Sequence, residues 1–345
     1  MPLSGSLACI TALLALSACL EAPPGIEGGG GTEGSPEWIR RTTDPTPPAL
    51  FGPRLAFDSR GQILAYGGST STDRGQATAA LWSWDGESWS LLCDPCDPGP
   101  RLGHGFAYDS RRTRAVLYGG VDDSGALHDD TWEWDGATWT LMTPEGDPPG
   151  MRSNMWMTYD LERRRVVMFG GKTGAGPSNE LHEYDGFNWE AVSATGGPSP
   201  RRDPGGGAAT YDPNGKRVLV YGSDQSDDDL WAWDGNQWTQ LCQECTGVPR
   251  WGAMLEIDPG RKRIFIVGGY DPDRDVVGTW ELDDSGTAVC EVRQPSQRDT
   301  GGMARDPVRE RIVLFGGNGT GCGGNCDETL ELVVNSEVQC SVGSL

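Results

Sequence analysis

Histidine is scarce, with 3 in 345 residues. His104, His128 and His182 fall at non-equivalent places in the repeat described below, so no copper or zinc centre is expected from them, and no metal or cofactor is assigned. Beyond the N-terminus no apolar run reaches the roughly 18 residues of a membrane-spanning helix. Basic residues are outnumbered, 28 Lys and Arg against 50 Asp and Glu, for a formal net charge of -22. That balance excludes nucleic acid as an electrostatic partner and disfavours adsorption to an anionic membrane. Phosphate loops, dinucleotide fingerprints and nucleophile motifs are missing. What is abundant is Gly (51), Pro (24) and Trp (14). Many turns over large apolar anchors imply an all-β chain of short strands.

Leu7 to Ala18 is an apolar stretch that ends in Leu16-Ser17-Ala18-Cys19. This tetrapeptide resembles the lipobox of bacterial lipoproteins, which implies cleavage before Cys19 and its acylation. Residues 1–18 are therefore read as a lipoprotein signal peptide, 19–36 as a Gly- and Pro-rich tether, and 37–345 as the folded domain. The expected address is the bacterial cell envelope, lipid-anchored at the outer membrane or facing the periplasm, with plain secretion as the alternative.

Cysteine usage fits export. Cys93/Cys96, Cys242/Cys245 and Cys322/Cys326 form close pairs. Zinc is the rival reading of such spacing. The first two pairs occupy equivalent places in different repeats, too far apart to share one tetrahedral ion, so local disulfides are expected. Cys290 has Arg293 where its partner would stand, and Cys340 is the cysteine left for it.

A repeat dominates the rest. RTRAVLYGG (112–120), RRVVMFGG (164–171), RIFIVGG (263–269) and RIVLFGG (311–317) have looser copies ending at 68 and 223. The glycine position steps by 52, 51, 52, 46 and 48 residues. After it come WSWDGESW (82–89), WEWDGATW (132–139), HEYDGFNW (182–189) and WAWDGNQW (231–238), with a degraded WELDDSG at 280–286. Before it come GHGFAYDSR (103–111), MWMTYDL (155–161) and AATYDP (208–213). An apolar run without alternation is a strand buried on both faces. Asp-Gly between strands is a strong hairpin signal. Each unit thus supplies an inner strand, an apolar strand, a Trp-x-Trp strand and a strand after Asp-Gly.

Pro100-Arg101-Leu102-Gly103-His104, then Tyr118-Gly119-Gly120, then Thr131-Trp132, resembles a kelch repeat of the galactose oxidase-like superfamily. The resemblance implies a six-bladed kelch-type β-propeller with four-stranded antiparallel blades. Two segments compete to complete the sixth blade: Trp38-Ile39-Arg40-Arg41, or Glu337 to Val342. The superfamily's Tyr/His/Cys copper constellation has no match here.

Two kinds of site are expected. Arg101, Arg152, Arg250 and Arg298 each precede the strand-ending Asp by eight residues and would place guanidinium groups near the central opening, where they suit a carboxylate or sulfate. The plainer reading pairs each with an acid of its own or the neighbouring blade. Glu256 stands where other repeats carry Ala56, Ala107, Thr158, Thr210 and Ala304, as a general acid or base would, or as a member of a structural salt bridge. On the opposite logic, acidic loop residues including Asp129, Asp130, Asp228 and Asp229 line the face with long loops, where function usually lies. The leading expectation is a non-catalytic, monomeric scaffold that binds a protein or glycan at the envelope. The alternative, by resemblance to periplasmic kelch-type sialic acid epimerases, is a sugar-acid epimerase or mutarotase using the arginines and Glu256. Asp271-Pro272-Asp273-Arg274-Asp275 lacks the Gly and the bidentate Glu of a calcium loop.

Overall fold

The computed structural model describes residues 36–71, 76–200, 208–222, 228–247, 249–270, 278–292 and 298–333. It contains six sheets of four antiparallel strands each, with one two-residue addition. Blade 1 is Arg54–Phe57, Ile63–Tyr66, Leu81–Trp84 and Trp89–Cys93. Blade 2 is Gly105–Asp109, Arg114–Tyr118, Thr131–Trp134 and Trp139–Met142. Blade 3 is Trp156–Asp160, Arg165–Phe169, Leu181–Tyr184 and Asn188–Val192, beside which Glu145–Gly146 lies parallel. Blade 4 is Ala208–Asp212, Arg217–Tyr221, Leu230–Trp233 and Trp238–Cys242. Blade 5 is Met254–Asp258, Arg263–Val267, Thr279–Asp283 and Ala288–Val292. Blade 6 takes Gly302–Asp306, Arg311–Phe315 and Thr329–Val333 from the C-terminal part and Glu37–Arg41 from the N-terminal part.

The inner strands neighbour one another in chain order, and Arg54–Phe57 packs on both Gly105–Asp109 and Gly302–Asp306, so the array is a closed ring. This is the propeller that the repeats imply. Closure uses the N-terminal strand: Trp38 pairs with Leu332 and Arg40 with Leu330. The competing segment, Glu337 to Val342, lies outside the described residues.

Packing explains why the apolar runs show no alternation. Every residue of the second strand from Ile63–Tyr66 to Ile312–Phe315 is at most 3% exposed once the Arg that opens most of them is set aside. The apolar core is six clusters, and each draws on two adjacent blades; Phe265 and Val267 of blade 5, for example, meet Ile312, Leu314 and Leu332 of blade 6. A blade alone would expose both faces of its second strand. At about 1.5–3 kcal/mol per buried aliphatic or aromatic side chain, the seams hold the fold together.

Polar devices repeat at each turn of the chain. The Asp at the end of an inner strand, buried in every blade but the fifth, accepts backbone N–H groups two to four residues on, as Asp109 does from Arg111 and Arg112 at 3.1 and 3.0 Å. The turn then passes through positive φ, at Gly61 in blade 1 but at Arg164, Lys216 and Lys262 in others. The Asp-Gly hairpins are capped likewise, Asp135 accepting from Ala137 and Thr138 at 2.8 Å. Blade 5 keeps this hairpin despite its degraded motif, because Asp283 accepts from Ser285 and Thr287 at 3.0 Å.

Seams are also pinned by tryptophan. Trp89, Trp189 and Trp38 each donate Nε1–H to the hydroxyl of the Thr that opens the third strand of the preceding blade: Thr329 at 2.8 Å, Thr131 at 2.9 Å and Thr279 at 2.9 Å. Blade 1 has Leu81 at that place, and the buried Nε1 of Trp139 has no partner. Trp38 thus makes in the ring-closing strand the contact that its equivalents make elsewhere. Trp38→Phe should cost about 1 kcal/mol more than Trp139→Phe, because only the former strands a bonded hydroxyl. Urea unfolding of both variants measures this, and equal losses would show that the Trp38–Thr279 bond contributes nothing.

Candidate functional site

The loops before each inner strand and after each apolar strand share one face, here called the entrance face. The inner turns and Asp-Gly hairpins share the other, the exit face. The four candidate arginines lie on the entrance side and are buried, at 1–3% exposure. Each donates Nη1–H to the carbonyl of the glycine 18 residues on: Arg101 to Gly119 at 3.1 Å, Arg152 to Gly170 at 3.0 Å, Arg250 to Gly268 and Arg298 to Gly316 at 3.2 Å. Three also bind an acid that precedes the third strand of the same blade. Arg101 pairs with both oxygens of Asp130, Arg152 with Glu180 at 2.7 Å, and Arg298 with Glu328. Arg250 donates to Thr246 Oγ1 at 3.1 Å, and that hydroxyl in turn donates to Asp228 at 2.9 Å.

Each of Arg101, Arg152, Arg250 and Arg298 is thus held by partners within its own blade. Their guanidinium groups act as struts between the loop before an inner strand and the glycine turn of the same blade. Burial of a guanidinium demands such partners. The acids answer in kind: Arg152 is the main influence holding Glu180 below its ordinary pKa. For Asp130 burial pushes upward, yet the bonds from Arg101 and Trp132 prevail and lower it.

The acidic loop candidates divide. Asp130 and Asp229 both accept from the indole of the Trp two residues on, at 2.7 Å. Asp228 is buried and takes Tyr221 Oη–H at 2.6 Å and Thr246 N–H at 2.8 Å. These three are structural. Asp129 is exposed, as are Asp94, Asp97 and Asp327 on the same face. The exit face carries exposed Arg60, Arg111, Arg164, Lys216, Lys262 and Arg309, interspersed with the exposed hairpin acids Asp85, Asp135, Asp234 and Asp284. Asp227, Asp271, Asp273, Asp275, Arg201 and Arg202 lie outside the described residues.

Cys93–Cys96, Cys242–Cys245 and Cys322–Cys326 are disulfides, each clipping an entrance-face loop. Glu328 sits beside the last pair, but with its sulfurs oxidised and Glu328 held by Arg298 this is no metal site. The Cys290 side chain, Cys340 and Cys19 lie outside the described residues.

Two cavities lie along the central axis. The entrance-side one, about 80 Å³, is lined by Arg54, His104, Phe106, Met155 and Met254 among others. His104 is fully buried, edge-on to Tyr66 at 5.4 Å, and burial holds its pKa well below the ordinary value, so the ring is neutral. The exit-side cavity, about 310 Å³, is walled by Tyr108, Tyr159, Tyr211, Thr158, Thr210, Glu256 and Arg305. Its tyrosines stitch seams: Tyr108 Oη bonds Ser59 Oγ at 2.7 Å, and Tyr211 Oη accepts from Glu162 N at 3.2 Å.

Glu256 is 9% exposed and accepts from Thr210 Oγ1 at 2.7 Å and Ile257 N at 2.9 Å. Burial raises its pKa, against those bonds and the charge of Arg305. None of the four candidate arginines lines either cavity, so the pairing of Glu256 with an arginine ring is not assembled. The cation beside Glu256 is Arg305, which sequence reading passed over. It holds the position of Tyr108 and Tyr159, and that replacement was the available signal.

Six four-stranded sheets in a closed ring, with strut-bearing glycine turns between the second and third strands, define a β-propeller of the kelch class. The family model described as the KLHDC2/KLHL20/DRC7 Kelch-repeats domain matches residues 55–269, from blade 1 into blade 5. The chain belongs to the kelch-repeat family. Kelch domains typically mediate protein–protein interaction. No curated protein matches the chain.

A carboxyl with a raised folded-state pKa binds its proton more tightly folded than unfolded. Its contribution is therefore complete below the ordinary carboxylate value and is lost as pH rises towards the raised one. Between pH 4 and pH 8 the stability of the parent should fall relative to Glu256→Gln. Urea midpoints at several pH values test this, and parallel curves would show that Glu256 titrates normally.

Proposed function

We propose that the chain is a non-catalytic binding scaffold of the bacterial cell envelope, held by lipid on Cys19 and engaging a protein partner through its entrance face. The observation that carries this reading is the distribution of side chains on that face. Its buried charges are spent as struts, while Asp94, Asp97, Asp129 and Asp327 are left exposed on disulfide-clipped or variable loops. Acidic residues around a rigid ring suit a basic patch on a partner and favour rapid encounter at low salt.

The anchoring half rests on the Leu-Ser-Ala-Cys motif and on the face at which Glu37 enters blade 6. Glu37 pairs with Val333 at the exit end of blade 6, so the chain enters the ring on the face opposite the long loops. A Gly-rich tether of 18 residues spans about 25 Å on average. A lipid at Cys19 would therefore leave the entrance face pointing away from the membrane. A glycan partner is the second outcome of the test below, since exposed acids repel acidic sugars but tolerate neutral ones.

Immobilised residues 37–345, kept oxidised, should retain a specific envelope protein at low salt. Neutralising Asp94, Asp97, Asp129 and Asp327 to Asn should weaken retention at least tenfold, whereas Arg111→Gln with Lys216→Gln should not. Retention that depends on the exit-face pair instead would overturn the assignment, and retention of a neutral glycan would replace the partner class. In cells, Cys19→Ala should shift the protein from the membrane to the soluble fraction, and unchanged fractionation would refute the anchor.

A further inference from the structure

One corner of the exit face differs from the other five. Elsewhere, an arginine from the inner turn of one blade, or in blade 4 from the start of its second strand, covers the Asp-Gly hairpin of the next. Arg60 donates to Gly136 O at 3.0 Å, Arg112 reaches Gly186 O at 3.5 Å, and Arg217 donates to Asp284 O at 2.6 Å. Arg163 and Arg309 lie so close over Gly235 and Gly86 that a Cβ on either glycine would collide with them. The equivalent in blade 5 is Arg261, and the blade it should cover is blade 6. There the third and outer strands come from distant parts of the chain, and no hairpin joins Val333 to Glu37.

A second arginine loses its partner for the same reason. At the start of the second strand, Arg165 pairs with the hairpin Asp185 at 3.0 Å, and Arg263 sits opposite Asp283. In blade 6 the residue opposite Arg311 is Val333, and among the described residues the Arg311 guanidinium reaches Glu310 O alone, at 3.2 Å.

These two arginines and Arg305 line one cavity of about 310 Å³, with Asp258, Gly260, Glu310 and Ile312 as its other walls. Arg261 Nη1 is buried there without a hydrogen-bond partner, while its Nη2 donates to Glu281 at 3.0 Å. Glu281 is shared with Arg263, whose Nε lies 2.9 Å away. Arg305 has no ion pair among the described residues. Asp258 turns Oδ1 to its own turn, accepting from Gly260 N at 3.0 Å and Arg261 N at 3.4 Å, and Glu310 is exposed. Arg261 Nη1 and the guanidinium groups of Arg305 and Arg311 therefore make no ion pair among the described residues, and they line a space of the size that holds small molecules.

We propose that this ring-closure corner, between Arg261, Arg305 and Arg311, binds a small organic oxyanion, whose charged oxygens take the place of the missing hairpin carbonyl and carboxylate. Guanidinium groups in a partly buried site favour such oxygens by paired, charge-assisted hydrogen bonds. Arg305 also walls the exit-side axial cavity, so the body of the ligand has room towards Tyr211 and Thr210. The site is on the face opposite the proposed partner surface, so either assignment can fail without the other.

The test uses the whole chain, with citrate and inorganic phosphate as probes in separate calorimetric titrations at low salt. Saturable binding of one citrate per chain is expected, at least tenfold weaker in Arg311→Ala and in Arg261→Ala. Arg60→Ala, which removes the equivalent arginine over an intact hairpin, should leave it unchanged. Arg305→Gln, which breaks no ion pair, gives a folded variant should the others unfold, and should also lose at least tenfold. Citrate should in addition raise the melting temperature of the parent but not of Arg305→Gln. Absence of saturable binding to the parent, or binding that survives Arg305→Gln, overturns the proposal. Phosphate binding as tight as citrate binding, with the same sensitivity to the variants, would show that the oxyanion alone is recognised.

Discussion

The structure depends on the fact that no blade can bury its own apolar strand. A strand such as Arg263–Val267 has Ile264 and Ile266 packed towards blade 4 while Phe265 and Val267 pack towards blade 6. One sheet offers only one partner per face, so every blade needs a neighbour on both sides, and only a closed ring supplies that for all of them. An open arc would leave two apolar faces in water, which also invites association at its ends. Closure has to be made by residues, and here it is made by Glu37–Arg41. Trp38 fills the seam to blade 5 and bonds Thr279, while Arg41 pairs with Glu331 at 2.7 Å inside blade 6. The ring is thus fastened by side-chain contacts equivalent to those of the uninterrupted blades.

Around these seams the charged residues act mainly as local struts. Asp109, Asp160, Asp212 and Asp306 each hold both the backbone of the following turn and an arginine of that turn. Arg112 and Arg163 extend the same network to Glu133 and Glu183 on the third strand. A buried pair of this kind adds little net stability compared with an apolar replacement, but losing one partner leaves a buried charge uncompensated. The network therefore fixes how turns and hairpins meet more than it raises total stability.

Much of the fold is visible in the sequence because each signal is local. A run without alternation, a double glycine and an Asp-Gly pair report on their own strand and turn, and six copies repeat the report. The short cysteine pairs are local in the same sense, and they close as read. The arginines were harder. Their eight-residue offset from the strand-ending Asp is visible, but it does not say where the guanidinium points. The constant separation of 18 residues from the carbonyl-bearing glycine was equally visible and carries the structural answer. Glu256 stood out as the one carboxylate at its position, whereas its neighbour Arg305 belongs to the next blade, and contact across a seam leaves no trace in sequence spacing. The choice of closing strand was open for a related reason, since either end of the chain offered a strand of suitable length.

A repeat fold makes its exceptions informative, because five copies show what the sixth would have done by default. Glu256, Arg305 and the uncovered Arg261 and Arg311 all belong to blades 5 and 6, beside the single break in the ring. Elsewhere the charged groups of the inner turns meet partners in their own blade or across the next seam. Here a carboxyl raised by burial faces the axis, a guanidinium replaces the seam-stitching tyrosine, and two more arginines face a missing hairpin. Ring closure explains the missing hairpin but not the choice of Glu256 and Arg305, which Ala304 and Tyr211 show to be dispensable for the same strand geometry in neighbouring positions. Two departures with no structural necessity thus adjoin one that topology imposes, and together they gather Glu256, Arg305, Arg261 and Arg311 at a single seam.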